Sequence, residues 1–411
     1  MRDPIRGSYL YQKGTKDNYM KRKVKKTIKK IYNGDLFKEF FDNEKATGLI
    51  LIACTLISLI MANSLFATQY LHTWHIKIGG QSLEYWINDG FMTVFFLLIG
   101  LELKREINNG ELSNFKDALL PIFAALGGMF IPAGLYLLLN YGTAAQAGAG
   151  VPMATDIAFA LGILSLLGNR VPLSLKIFLT ALAVIDDLGA ILVIAIFYTK
   201  TIVWLNLILA LAVFVGLLIL NRMKVRSLTL YLLGGVIMWW FMLHSGIHAT
   251  ITGVLLAFTI PFCNGERDSI FSALERALHK PVGFFILPLF ALANTAIVIN
   301  SNIGETLSQH YNIGIALGLI VGKPLGIFFC SFLAVKAGIC KLPADLTWKT
   351  IASVGFLGGI GFTMSIFITL LAFEDQTIIN NAKFAILASS LIAGLLGFMF
   401  LKSTLKNENI N

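Results

Sequence analysis

An all-α, polytopic membrane fold is predicted by three observations. Of 411 residues, 56% are hydrophobic and only 14% are charged, and the mean hydropathy is +0.74, far from the balance of a water-soluble domain. The apolar residues come in continuous runs of roughly 15 to 25, the length a helix needs to cross a bilayer, rather than in alternating segments of about ten as in a barrel. Finally, glycine and proline interrupt two of the runs at corresponding places in the two halves of the chain.

The runs between polar breaks predict twelve spans. In the first half they are Ala46 to Phe66, Ile87 to Leu103, Ala118 to Leu139, Gly148 to Leu167, Leu173 to Tyr198 and Leu205 to Leu220. The second half contributes Leu228 to Leu243, Gly246 to Ile260, Val282 to Ile299, Ile313 to Val335, Ile351 to Ala372 and Ala382 to Leu401. This divides the chain into a basic tail (1–45), a twelve-span domain (46–403) and a short second tail (404–411). With the basic tail in the cytoplasm, the loops on that side carry 14 Lys and Arg residues and the opposite loops three, Lys77, Lys200 and Lys383. The positive-inside rule then puts both termini in the cytoplasm.

Charge and cysteine content narrow the class. The formal net charge is +10, but 13 of the 33 Lys and Arg residues lie in the first 45 residues, directly before the first span. A basic segment there is expected to meet anionic lipid, and no nucleic-acid partner is expected. The tail lacks an apolar stretch with a small-residue cleavage site, so no removable signal peptide is expected. Cys54, Cys263, Cys330 and Cys340 are scattered, without a CxxC pair, and read as reduced core residues.

Two spans are poorly suited to continuous helix. The fourth carries Gly148, Gly150 and Pro152 just before Thr155 and Asp156, and the eleventh reads GFLGGIGFTMS from Gly355 to Ser365. Glycine costs about 1 kcal/mol per helical position and proline more, so these clusters predict unwound backbone near the midplane. Close packing through small residues is the alternative reading of such glycines. However, one break is second among spans three to five and the other second among spans ten to twelve, as an inverted repeat requires.

Charged groups within a span cost about 2.5–3.5 kcal/mol on insertion scales and mark ion or substrate routes. Four stand out: Asp156, the adjacent Asp186 and Asp187, and Lys323. A hard monovalent cation such as sodium prefers oxygen ligands, which Asp187, Asp156, Thr155 and unwound carbonyls can supply. Neighbouring residues on a helix point about 100° apart, so Asp186 and Asp187 serve different partners, and one of them can pair with Lys323. Mutual neutralisation alone would leave carboxylates in excess. A desolvated carboxyl favours its neutral form, so protons and a cation compete for it. Two such groups side by side can carry more than one proton per ion, which would make exchange electrogenic.

Other polar groups carry weaker signals. Glu102, Lys104, Arg105 and Glu106 follow span two, and Glu275, Arg276 and His279 precede span nine. They read either as a solvated charge cluster at the basic face or as a set of groups titrating near neutrality. His244 and His248 have the spacing of helix-borne metal ligands, but Gly246 intervenes and no third ligand is near, so no metal site is expected there or at His72 and His75.

Together, FFLLIGLELKRE (95–106), MATDIAFALG (153–162), AVIDDLGAI (183–191), SGIHATITGV (245–254), ILPLFALAN (286–294), GKPLG (322–326) and GFLGGIGFTMSIFI (355–368) resemble the NhaA family of sodium/proton antiporters, over approximately Asn43 to Lys402. The resemblance implies that Asp187 is the chief carboxylate for sodium and protons. Asp186 lies beside it against Lys323, and Thr155 and Asp156 lie at the crossing of the broken helices. Asp156 and Lys323 would offset the half-charges at the interrupted helix ends. It also implies a pH-response set on Glu102, Arg105, Glu106, Glu275, His279 and His248. The longer basic tail departs from the family pattern, as does Arg276, a permanent cation where that pattern has a titrating histidine.

The expectation is therefore a pH-regulated, electrogenic exchanger of sodium or lithium for protons in the bacterial inner membrane, with no cofactor and no enzymatic activity. A sodium-coupled symporter of an organic anion is the rival within transport, and it would need a larger polar cavity. An intramembrane aspartyl protease would need a GxGD motif, which the chain lacks, and a channel for cations is opposed by Lys323. By analogy, the segment between Trp74 and Leu83 reads as an external hairpin able to join two protomers as a homodimer.

Overall fold

The computed structural model describes residues 45–199, 201–262, 269–299 and 303–408. The basic tail, Lys200, Cys263, Arg267 and the final three residues lie outside the described residues. Helix α1 is Lys45–Ala62, followed by α2 (Ala67–His75) and a two-stranded antiparallel hairpin, Lys77–Ile78 with Gln81–Ser82. The expected hairpin between Trp74 and Leu83 thus exists as a local element. Helix α3 is Leu83–Asn109 and α4 is Phe115–Asn140.

The fourth span is broken. A 3-10 helix, Gln146–Met153, ends in extended backbone before α5 (Ile157–Leu166). Then come α6 (Leu173–Phe197), α7 (Trp204–Arg222), α8 (Leu228–Leu243) and α9 (Ile251–Thr259). Helix α10 is Ile270–Asn294, the short α11 is Ile303–Ser308, and α12 is His310–Lys336. The eleventh span is two helices, α13 (Trp348–Gly358) and α14 (Phe362–Ala372), bent by 48° at the GIG break, and α15 (Gln376–Glu408) closes the chain.

Nine helices among the described residues are long and apolar enough to cross a membrane, and the bent pair makes a tenth. Two expected spans fall short of that length. Helix α8 has 16 residues and α9 only nine, and nine residues rise about 14 Å, less than half of a bilayer core of about 30 Å. The predicted Gly246 to Ile260 loses its first turn because Gly246 sits at φ 86°, a left-handed position that ends helical continuity.

Burial separates an inner and an outer layer. Ile208, Leu211, Val215 and Ile219 of α7 are exposed although apolar, as expected of a lipid-facing helix. The inner helices meet through small residues. A side chain at Gly253 of α9 would strike the Thr93 carbonyl and the Leu97 amide of α3. Similarly, a side chain at Gly127 of α4 or Gly326 of α12 would strike the other helix's backbone. Such backbone contact is how membrane helices gain packing energy without a hydrophobic drive between them.

Three spans contain a π-helical turn: Trp86–Phe91 in α3, Val282–Ile286 in α10 and Gly318–Gly322 in α12, the last directly before Lys323. One expectation is corrected. Lys383, taken from the sequence as a loop residue, lies two turns inside α15 and is 6% exposed. The helix begins six residues before the apolar run because its first turns carry polar side chains.

Candidate ion-binding site

The two broken spans touch at their breaks. The Asp156 amide donates to the Ile360 carbonyl at 2.6 Å, and the Ser365 hydroxyl donates to the Val151 carbonyl at 2.7 Å. Backbone freed from helix is satisfied here by the other broken span, the condition under which irregular backbone survives at membrane depth.

Asp156 caps two helices at once. As N-cap of α5, its Oδ1 accepts the Phe159 amide at 3.0 Å. Its Oδ2 accepts the Thr363 amide at 3.1 Å, in the first turn of α14, together with the Thr363 hydroxyl. Two positive helix ends, each equivalent to about half a charge, thus converge on one carboxylate. The hydroxyl of Ser390 in α15 accepts the Phe362 amide at 3.1 Å and completes the cap.

One negative helix end meets a cation. Lys323 is fully buried, and its ammonium donates to the Met153 carbonyl, where the 3-10 helix ends, and to Asp186 Oδ2 at 2.5 Å. The Thr155 hydroxyl lies 2.7 Å from the same Asp186 oxygen and 2.8 Å from the Gly358 carbonyl at the end of α13. Asp186 is therefore committed to Lys323 and Thr155.

Asp187 is not. It is 1% exposed, and neither carboxylate oxygen accepts a hydrogen bond from any described protein group. It lines a cavity of about 40 Å³ with Asp156 and Thr363, and the same cavity is lined by Glu102 and His279. Those two stand at the basic face, where His279 lies 3.6 Å from Glu102 and Arg105 pairs with Glu275 and, at 3.1 Å, with Glu106.

The structure thus brings Asp156, Thr155, Asp186, Asp187 and Lys323 to one crossing, and Glu102, Arg105, Glu106, Glu275 and His279 to one end of the cavity beside it. His248 belongs to neither group, since its imidazole meets the Tyr198 carbonyl at 3.0 Å, while His244 meets the Trp240 carbonyl at 2.8 Å. No cluster of three His, Cys, Asp or Glu side chains able to hold a metal is present among the described residues. Sequence reasoning missed Thr363 and Ser390. The position of Thr363, two residues after the last glycine of GGIG, was the available signal, because hydroxyl residues in a first helical turn often cap.

A buried crossing of two broken helices, with capped helix ends and one available carboxylate inside a polytopic α-helical bundle, defines a secondary ion transporter of the broken-helix class. Within that class, the model of the family described as Na+/H+ antiporter 1 matches residues 38–401. Similar proteins include the Na(+)/H(+) antiporter NhaA of Flavobacterium psychrophilum, 72% identical over 375 residues, which span 91% of this chain and 98% of that protein. Another, from Cytophaga hutchinsonii and carrying the same name, is 59% identical over 376 residues, 92% of this chain and 97% of its own. The chain belongs to the NhaA family of sodium/proton antiporters.

Proposed function

We propose that this protein exchanges sodium, and also lithium, for protons through Asp187. The supporting observation is the contrast between neighbours: Asp186 is tied through one oxygen to Lys323 and Thr155, whereas neither oxygen of Asp187 accepts a hydrogen bond from a described protein group, and Asp187 faces a cavity that also reaches Asp156 and Thr363. A carboxylate with free oxygens in a desolvated setting binds either a proton or a hard cation, and each displaces the other.

Exchange follows when the site opens alternately to the two sides, so that sodium leaves as a proton arrives and the reverse. The basic face is cytoplasmic by the positive-inside rule, and the protein is a multi-pass protein of the bacterial inner membrane with both termini in the cytoplasm. Sodium enters from that face past Glu102 and His279, two members of the set to which the family resemblance assigns the pH response. Coupling of Asp187 to Asp186 allows more than one proton per sodium, hence electrogenic transport. A 40 Å³ cavity has room for an ion and about one water, not for an organic anion, which disfavours symport of such a substrate.

The test is sodium-induced proton release from acidified inverted membrane vesicles, comparing the unchanged protein with Asp187→Asn across a range of pH. Loss of release at every pH is the expected result, whereas release equal to that of the unchanged protein would move the site elsewhere.

A further inference from the structure

Lys383 plays no part in the exchange site. It is buried in α15, and its ammonium makes no hydrogen bond or ion pair with the described residues, although the Glu84 carboxylate acts on it through space. A charge in a span without a hydrogen-bonding partner is costly enough to demand a reason. Its position supplies one. Lys383 and Ser390 are seven residues apart and so share a face of α15, and Ser390 holds the Phe362 amide at the crossing at 3.1 Å. Two helical turns put Lys383 about 10 Å from that level, away from the basic face.

On the same side, a cavity of about 230 Å³ is lined by Thr306, Gln376, Thr377, Asn380 and Asn381, together with the apolar Ile297 to Ile299 and Phe384. Hydroxyl and amide side chains at this density suit a hydrated cation in transit, with no carboxylate among them to retain it. Lys383 follows Asn380 of this lining by three residues on α15, one helical turn closer to the level of the crossing.

We propose that Lys383 is a positioning charge on the external limb of the ion route, which repels sodium arriving from outside and so makes the exchanger's sodium affinity weaker on the external face than on the cytoplasmic face. This rests on the assignment of Asp187 as the exchange carboxylate and of the basic face as cytoplasmic. A weaker external affinity favours release of exported sodium and opposes its return while Asp187 is available. Across about 10 Å at an effective dielectric of about 20, one unit charge changes a binding constant by roughly tenfold.

The full-length protein, reconstituted in one orientation in proteoliposomes, gives the apparent KM for sodium at each face from sodium-dependent proton movement. Lys383→Gln is expected to lower the external KM by about tenfold and to leave the cytoplasmic KM within about twofold, and Lys383→Arg to restore the asymmetry. Lys383→Met, uncharged and of similar length, is expected to lower the external KM as well, and it decides the matter if Lys383→Gln does not fold. An unchanged external KM, or an equal shift at both faces, overturns the proposal. With Asp187→Asn inactive, that result sinks only the role of Lys383, whereas exchange surviving in Asp187→Asn sinks the site itself, whatever Lys383 does.

Discussion

The ammonium of Lys323 lies 2.5 Å from Asp186, and Asp187, the next residue along α6, accepts no hydrogen bond from any described protein group. One turn of α6 thus holds a neutralised carboxylate and an available one. The 100° step between adjacent helical residues makes the division, since only one of the two can point at α12.

The Lys323–Asp186 pair predicts a mutual dependence in stability. Breaking a buried pair from one side leaves an uncompensated charge and costs about 3–5 kcal/mol, while replacing both partners is close to neutral. Lys323→Met should lower the thermal midpoint of the detergent-solubilised protein by several degrees, and Lys323→Met with Asp186→Leu should recover most of it. A single variant as stable as the unchanged protein would refute the pairing as a structural element.

Thr363 supplies both an amide and a hydroxyl to Asp156. Thr363→Val keeps the amide and removes the hydroxyl, leaving a carboxylate oxygen less well satisfied at a cost of about 1–3 kcal/mol. The expected outcome is a sodium KM raised at least fivefold with an intact fold, whereas Thr363→Ser should stay near the original value. Equal kinetics in the valine and serine variants would remove the hydroxyl from the account.

Lys104 of α3 donates to the Phe258 and Ile260 carbonyls at 2.7 Å each, at the end of the nine-residue α9. A helix this short has little internal stability, so the cap matters. Lys104→Met is predicted to destabilise the protein by about 1.5–3 kcal/mol, the range for hydrogen bonds to a charged group, as read by thermal unfolding in detergent.

Outside the spans, the Asp375 carboxylate accepts the Thr377 amide at 2.7 Å at the entrance of α15, which holds its pKa below the ordinary carboxylate value. A group with a depressed folded-state pKa stabilises the fold above its unfolded value and loses that contribution as the pH falls through the folded one. Asp375→Ala should therefore be less stable than the unchanged protein at neutral pH, with the gap closing below about pH 4. A gap that persists at pH 2 would assign the effect to something other than this carboxylate.

Gly253 tests the packing of α3 on α9. Gly253→Ala should prevent correct assembly, because the new methyl group meets backbone on α3, while Gly134→Ala, with nothing within 4 Å, should be silent. The readout is the fraction of monodisperse protein after solubilisation.

The membrane architecture was legible wherever apolar runs stand against polar breaks, as in α6, predicted to run from Leu173 to Tyr198 and found at Leu173–Phe197. It was least legible where polar side chains extend a helix, as at Gln376, Thr377 and Asn380 of α15. Those residues line a cavity rather than face lipid, so hydropathy started the span at Ala382, six residues late, and Lys383 at its predicted edge was counted with the loops. The breaks in the fourth and eleventh spans were readable from glycine and proline. Their partners were not, because Asp156 and Thr363 are 207 residues apart and only the crossing joins them.

By itself, the sequence determined that this is a helical membrane protein with two interrupted spans and a small set of intramembrane charges, because transfer of apolar and charged groups between water and lipid is a local property of each segment. Tertiary structure decided which aspartate is neutralised and which remains available, that one carboxylate caps two helix ends, and that Lys383 is buried. Each of these depends on the distance between groups far apart in the chain, where Coulomb and hydrogen-bond energies change steeply within a few ångströms.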